Sequence, residues 1–372
     1  MTSRRNVLVA GLGLVLVGCG GGGGDPTPAP VPTPVPADPP LIPQAISGDW
    51  DVDSPASQGV PQAAVNQMLF ETGAVSNVRG LVVARNGRLI AERYYNGYTM
   101  DDLQHVRSIT KSVASMLVGQ ALQAGAIPTV NSTIATLLPE ALAAVTGSQT
   151  GSLTLEQILT MRTGLAFNDD TQWGSLLGAP DALRFVLGLP VSGSQNFHYD
   201  SAGSHLPSAM LQRARGLPLD ALARRDLFEP LGISKYAWTK DALEVPFGSF
   251  GLQLRTRDTA KLAQLVLDGG MKNGNQLVPS AWMTDSTAVH VTPGYSQYGA
   301  LGNIGYGYLW WSGTLGGKSV VLGWGYGGQF AVIVRQLNMV IQTNTFHSVE
   351  GPLKSQQEQG LLLAMAKFLE GL

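Results

Sequence analysis

The chain has 372 residues, enough for two structural units or for one large domain carrying an insertion. A formal net charge of -2 leaves no basic footprint for nucleic acid, and with only 13% charged residues the surface must be rich in Ser, Thr, Gln, Asn and Gly. The single cysteine excludes an intramolecular disulfide, and the five histidines form no His-Glu-x-x-His pattern, so neither metal nor cofactor is expected.

The chain opens on Arg4 and Arg5, followed by an uncharged apolar run from Val7 to Val17 and then Gly18-Cys19. That run is too short to span a bilayer and suits the core of a signal peptide. With the only cysteine at its end, residues 1–19 resemble a bacterial lipoprotein signal in which Cys19 is lipidated; a plain secretory signal is the alternative. Ser3-Arg4-Arg5-Asn6 is also similar to a twin-arginine export signal. Gly20 to Gly24 and the Pro-rich stretch to Pro43 read as a tether over 20–45, flexible and then extended. It would hold a folded body, residues 46–372, at a membrane of the bacterial cell envelope.

The body reads as strands, then helices, then strands. Apolar spacing predicts a helix over Gly59 to Glu71. Gly80 to Arg85 and Arg88 to Tyr95 are predicted strands joined by an Asn86-Gly87 hairpin turn. Ser108 to Ala124 is a predicted helix with Ile109, Val113, Met116, Leu117 and Ala121 on one face. Helical pattern then dominates a segment of about 125–245, including Leu155 to Met161, Pro180 to Leu187, Ser201 to Arg215 and Leu219 to Leu227. Thr256 to Gly269 is a further helix. Strands return at Gly305 to Trp311, Lys318 to Leu322, Gln329 to Arg335 and Met339 to Asn344, before a closing helix at Gln356 to Leu369. The pattern implies an α+β fold, an antiparallel β-sheet flanked by helices with an inserted, mostly helical domain.

Two glycine motifs fail on context. Gly323-x-Gly325-x-x-Gly328 is followed by a strand-like rather than a helical segment, which argues against a dinucleotide site. Gly316-Gly317-Lys318-Ser319 lies between two strands and reads as a hairpin turn. There is no Gly-x-Ser-x-Gly nucleophile elbow.

Ser108-Ile-Thr-Lys111 carries chemistry. Residues three apart share a helix face, so the hydroxyl and the amine point the same way at a helix start. A serine needs a base beside it to act as a nucleophile. Lysine titrates near ~10.4 in water, so base work at neutral pH requires burial to lower that by about three pH units, ~4 kcal/mol. Taken alone, the motif reads as a solvated helix start.

The segment His105-Val-Arg-Ser108-Ile-Thr-Lys111-Ser-Val-Ala-Ser resembles the active-site helix of the serine β-lactamase-like superfamily. Leu155 to Leu165, Phe197-His-Tyr199-Asp-Ser201, Leu227 to Ile233 and Gly251 to Gly270 follow in that superfamily's order, from about Gln58 to the C-terminus. The chain looks most similar to class C-type carboxylesterases and 6-aminohexanoate-oligomer hydrolases. The resemblance implies a β-lactamase/transpeptidase-like fold with Ser108 as acylated nucleophile. Lys111 would hold its proton, and Tyr199 would share it as a phenolate or hydrogen-bond relay, its pKa lowered by Lys111. Ser201 would bond Lys111 or substrate, and the Ser108 and Tyr326 N–H groups would form the oxyanion hole.

The third motif, usually Lys-Thr-Gly or His-Thr-Gly, falls at Gly323-Trp324-Gly325, without the groups that grip a substrate carboxylate. That favours a neutral apolar acyl group packed on Trp324 and Tyr326, approaching along the glycine-rich strand edge past Gly325. Asp170 and Trp173, beside Asp169, are candidate contacts for a substrate amine, or part of an acidic surface loop. The expected activity is hydrolysis of small ester or amide substrates. A penicillin-binding D,D-peptidase or class C β-lactamase is one alternative; a non-catalytic envelope binding lipoprotein is another.

Overall fold

An eight-stranded antiparallel sheet runs through the computed structural model, which describes residues 43–372. Its strands are β1 (Val78–Arg85), β2 (Arg88–Tyr94), β3 (Gln297–Tyr298), β4 (Leu301–Tyr306), β5 (Trp311–Leu315), β6 (Lys318–Gly325), β7 (Gln329–Val334) and β8 (Met339–Thr345). They lie in the order β2-β1-β8-β7-β6-β5-β4-β3, so the early hairpin sits beside the last strand. Asn86 (φ 54°) and Gly87 (φ 73°) both take positive φ, the backbone a two-residue hairpin needs. The expected α+β plan with an antiparallel sheet is the one observed.

Four long helices frame the sheet: α1 (Gln62–Gly73), α2 (Ile109–Gln123), α3 (Thr256–Leu267) and α4 (Gly351–Glu370). Helix α3 packs on β8, β7 and β1, while α1 packs on α4. Every residue of β7 and β8 is buried, as expected for central strands covered on both faces. Short helices fill the segment between Ile134 and Phe228, where helical pattern was expected. The expected signal segment, Cys19 and nearly all of the expected tether lie outside the described residues. No helix among the described residues is long and apolar enough to cross a membrane.

Helix α2 departs from the one-faced pattern. Its polar Thr110, Lys111, Ser112 and Ser115 are buried along with its apolar residues. Each of the buried hydroxyls finds a carbonyl, as a buried polar group requires. Ser112 donates to Leu309 O (2.9 Å) and Ser115 to Tyr308 O (2.7 Å). Those two bonds draw residues 307–310 out of the sheet and onto the helix. The single strand expected over Gly305 to Trp311 is therefore two, β4 and β5, with a break between them. Gly307 is required at the break, where a Cβ would stand 2.3 Å from Ser286 O.

Candidate active site

Residue Arg107 shapes the turn that carries Ser108. It holds φ 51°, a left-handed conformation costing a non-glycine residue about 1–3 kcal/mol, at the junction into α2. Ser108 is the N-cap of that helix, so the partial positive charge of the first turn lies beside its hydroxyl, although the Ile109, Thr110 and Lys111 N–H groups are taken by the Val106, Arg107 and Ser108 carbonyls. Two glycines of β6 let this turn approach the sheet. A Cβ on Gly325 would stand 2.4 Å from Val106 O and 3.1 Å from the Arg107 Cβ; one on Gly323 would meet Ile109 at 3.3 Å. The glycines thus admit the α2 turn to the face of the strand.

Three oxygens surround the Lys111 amine. Its Nζ lies 3.0 Å from Ser108 Oγ, 3.1 Å from Ser201 Oγ and 2.9 Å from the Ser249 carbonyl. None of the three is charged. Lys111 is 1% exposed, and burial pushes its pKa down from 10.5 to about 8 against the opposing charges of Asp169 and Asp200. The amine therefore loses its proton far more readily than an ordinary lysine.

The Tyr199 hydroxyl interacts with the Ser108 side chain, and the ring lies under Lys111 Nζ, 5.0 Å from the ring centroid. Here the expected lowering of its pKa fails. Burial raises the Tyr199 pKa above the usual 10, and Asp169, Tyr295 and Asp200 add to the rise. Burial thus keeps Tyr199 a neutral phenol rather than a phenolate, which leaves it the other expected role, a hydrogen-bond relay.

Carboxylates stand one layer back. Asp169 Oδ2 accepts the Ser201 N–H (3.1 Å), which ties the first residue of helix Asp169–Leu177 to the site. Asp200 accepts Ala202 and Gly203 N–H groups, and burial pushes its pKa up to about 6. Asp170, singled out from sequence, is exposed; its charge reaches Tyr326 across the cleft. Trp173 packs on Phe250, ring centroids 4.2 Å apart, next to the Ser249 carbonyl.

Aromatic rings form one wall. Tyr199 stacks on Trp311 at 5.6 Å, and Trp311 touches Trp324 at 5.3 Å. Since Gly323 and Gly325 face α2, the intervening Trp324 points to the other sheet face, against Tyr298 and Phe330. Trp311, rather than Trp324, is the ring that stacks on Tyr199. Pairing of β6 with β5 ends at Leu322–Trp311, leaving 323–325 unpaired on that edge. Tyr326, 39% exposed, follows directly. Neither the Ser108 nor the Tyr326 N–H donates to a protein acceptor among the described residues. A groove of about 620 Å³ lined by Gly164, Leu165, Phe167, Asn168, Phe197 and His198 adjoins the Tyr199 segment without including Ser108 or Lys111.

Sequence reading missed Trp311, Ser249, Asp169 as the inward carboxylate, and the bend at Arg107. Only Asp169 left a signal: Asn168-Asp169-Asp170 is an N-cap followed by first-turn acids, and Asn168 Oδ1 accepts the Asp170 N–H at 2.8 Å.

A beta-lactamase family profile matches residues 65–361, most of the chain. The chain belongs to the beta-lactamase family. A 6-aminohexanoate-dimer hydrolase of Paenarthrobacter ureafaciens is 25% identical over 220 residues, so the match spans about half of each protein (54% and 55%). Among solved structures, a candidate 6-aminohexanoate-dimer hydrolase from Bacillus anthracis superposes with a TM-score of 0.63 at 20% identity, covering 74% of this chain and 76% of that one. A candidate beta-lactamase from Bacteroides dorei gives 0.65 at 17% identity, covering 83% and 98%. At those identities the structural likeness speaks for the fold, and the beta-lactamase family places the chain in a serine hydrolase superfamily.

Proposed function

We propose that this beta-lactamase family member is a serine hydrolase cleaving ester or small amide bonds through an acyl-Ser108 intermediate, as a carboxylesterase or a 6-aminohexanoate-oligomer-hydrolase-like enzyme. One observation carries the reading: a buried amine with only uncharged partners, 3.0 Å from the hydroxyl it would deprotonate. With a pKa of about 8, on the order of a tenth of Lys111 is neutral at pH 7. Ser108 Oγ attacks the substrate carbonyl as its proton passes to Lys111 Nζ. The oxyanion that forms is met by the Ser108 and Tyr326 N–H groups, each such donor being worth about 3–4 kcal/mol in comparable sites. Tyr199, a neutral phenol beside Ser108, relays a proton to the leaving alcohol or amine and is refilled from Lys111. A water then repeats the sequence on the acyl-enzyme and releases the acid.

The substrate preference rests on what surrounds this set. Gly323 and Trp324 offer no cation or hydroxyl for a carboxylate, and the Tyr199–Trp311 wall favours an apolar acyl group. Asp169 and Asp170 on the opposite side suit a substrate amine. Lipidation of Cys19 would anchor the enzyme in the bacterial envelope; radiolabelled palmitate incorporation lost in Cys19→Ala tests that part.

A panel of p-nitrophenyl esters of graded chain length, 6-aminohexanoate dimer and nitrocefin tests the whole reading. Turnover of a short ester or of the dimer above nitrocefin, abolished in Ser108→Ala, is expected. Nitrocefin turned over best would assign a β-lactamase; no turnover of any of them by folded protein would leave a binding role.

A further inference from the structure

The turn that carries Tyr326 is held from behind by α4. Residues Tyr326 to Gly328 join β6 to β7, with Gly327 and Gly328 at φ 84° and 102°, conformations that leave the chain no intrinsic reason to hold one shape. The restraint is external. Glu358, on α4 and fully buried, accepts the Gly327 N–H on Oε1 at 2.8 Å. Its Oε2 accepts the Tyr298 hydroxyl at 2.7 Å and pairs with Lys354 Nζ at 3.0 Å. The next peptide unit is also held: Gly327 O accepts from Thr345 Oγ1 (2.6 Å) and from the Gln357 side-chain amide. Gln329 Nε2 reaches Tyr326 O at 3.4 Å.

A buried carboxylate is costly unless it is fully partnered, and this one is satisfied by an amide, a phenol and an ammonium. Two of those partners lead back to the cleft. The Tyr298 ring lies 5.0 Å from Trp324, and Lys354 Nζ sits 5.2 Å from the centre of the Tyr326 ring. Nothing in the attack on an acyl carbonyl calls for a buried acid here. What the acid does is fix the peptide that follows Tyr326; the peptide before it continues from Gly325, which is paired in the sheet, so Tyr326 is clamped from both sides and its N–H is left little freedom to turn.

We infer that Glu358 is a positioning residue for the reaction, locking the Tyr326–Gly328 turn so that the Tyr326 N–H is aimed at the developing oxyanion. The inference rests on the acyl-Ser108 reading and deepens it. Preorganised donors act without reorganisation at the moment of reaction, so loosening one costs transition-state rather than ground-state binding.

The test measures kcat and KM for the best ester of the panel, and the inhibition constant of a phenylboronic acid as tetrahedral mimic, in wild type, Glu358→Ala and Glu358→Gln. Glu358→Ala should lose about 10²-fold in kcat with KM changed less than about threefold, and the boronic acid should weaken in parallel with kcat/KM. Glu358→Gln, which keeps an acceptor for Gly327 but loses the ion pair with Lys354, should retain a loss of about tenfold in kcat, and it is the variant read if Glu358→Ala fails to fold. Unchanged kcat in the folded variant, or a loss in which KM rises and boronic acid affinity holds, overturns the inference. Fluorophosphonate labelling of wild-type Ser108 is run alongside: its absence sinks the acyl-enzyme reading, whereas labelling with an inert Glu358 sinks this inference alone.

Discussion

Two lysines in this protein are buried near the starts of helices, each three residues after a polar partner, and they are treated in opposite ways. Lys261 on α3 has carboxylates: Asp49 at 2.7 Å and Asp258 at 3.2 Å. It belongs to an ionic cluster that also joins Arg257 to Glu92 and to the Gln44 carbonyl, fastening the first described residues to α3. Lys111 on α2 has two hydroxyls and a carbonyl. A buried ammonium with counter-charges is a fastener; one with neutral oxygens alone is a proton held loosely. The identity of the atoms within hydrogen-bond reach, not burial, separates structure from chemistry here.

The contrast is sharpest in substitution. Lys111→Met should lower turnover by ~10³-fold or more, matching Ser108→Ala because the two act as a unit. It should also melt no lower than wild type at pH 7, since a costly buried charge is replaced by an apolar chain of similar shape. Lys261→Met should do the reverse, losing about 3 kcal/mol of stability in urea titration because carboxylates are left behind, with kcat per folded molecule intact. If both variants behaved alike in either assay, the distinction would be lost.

Tyr199→Phe is expected to lower kcat by roughly 10²-fold, the loss of a proton relay, without moving the rising limb of the pH profile. A shift of that limb would mean that the phenol, not the amine, titrates. A smaller effect follows from linkage. The Lys111 pKa is lowered on folding, so between about 8 and 10.5 the unfolded chain binds more protons than the folded one. Wild-type stability should rise with pH across that window relative to Lys111→Met, while below it the difference should be constant. Parallel stability curves for the two proteins across the whole range would show that Lys111 titrates normally.

Local features were legible in the sequence. The Asn86-Gly87 hairpin is a matter of adjacent residues, and Ser108 and Lys111 are one helical turn apart. Features made by distant contacts were not. Ser249 is 138 positions from Lys111 along the chain, and nothing in its neighbours marks its carbonyl. The break after β4 depends on Ser112 and Ser115 of another element. Strand alternation could have shown that Trp324 and the flanking glycines face opposite ways; which of the two faces meets α2 needed the fold. The phenolate expected at Tyr199 failed for a related reason, since motif order gives proximity to Lys111 but not how deeply the hydroxyl is buried.

The most direct measurement is the rate of Ser108 phosphonylation by a fluorophosphonate as a function of pH, with the adduct located by mass spectrometry. Expected is a single adduct at Ser108 whose rate climbs to a plateau through a limb near 8, the value burial gives Lys111, and which is lost in Lys111→Met. A rate flat from about pH 6 to 10, or no adduct at Ser108, would contradict a nucleophile activated by a loosely protonated buried amine.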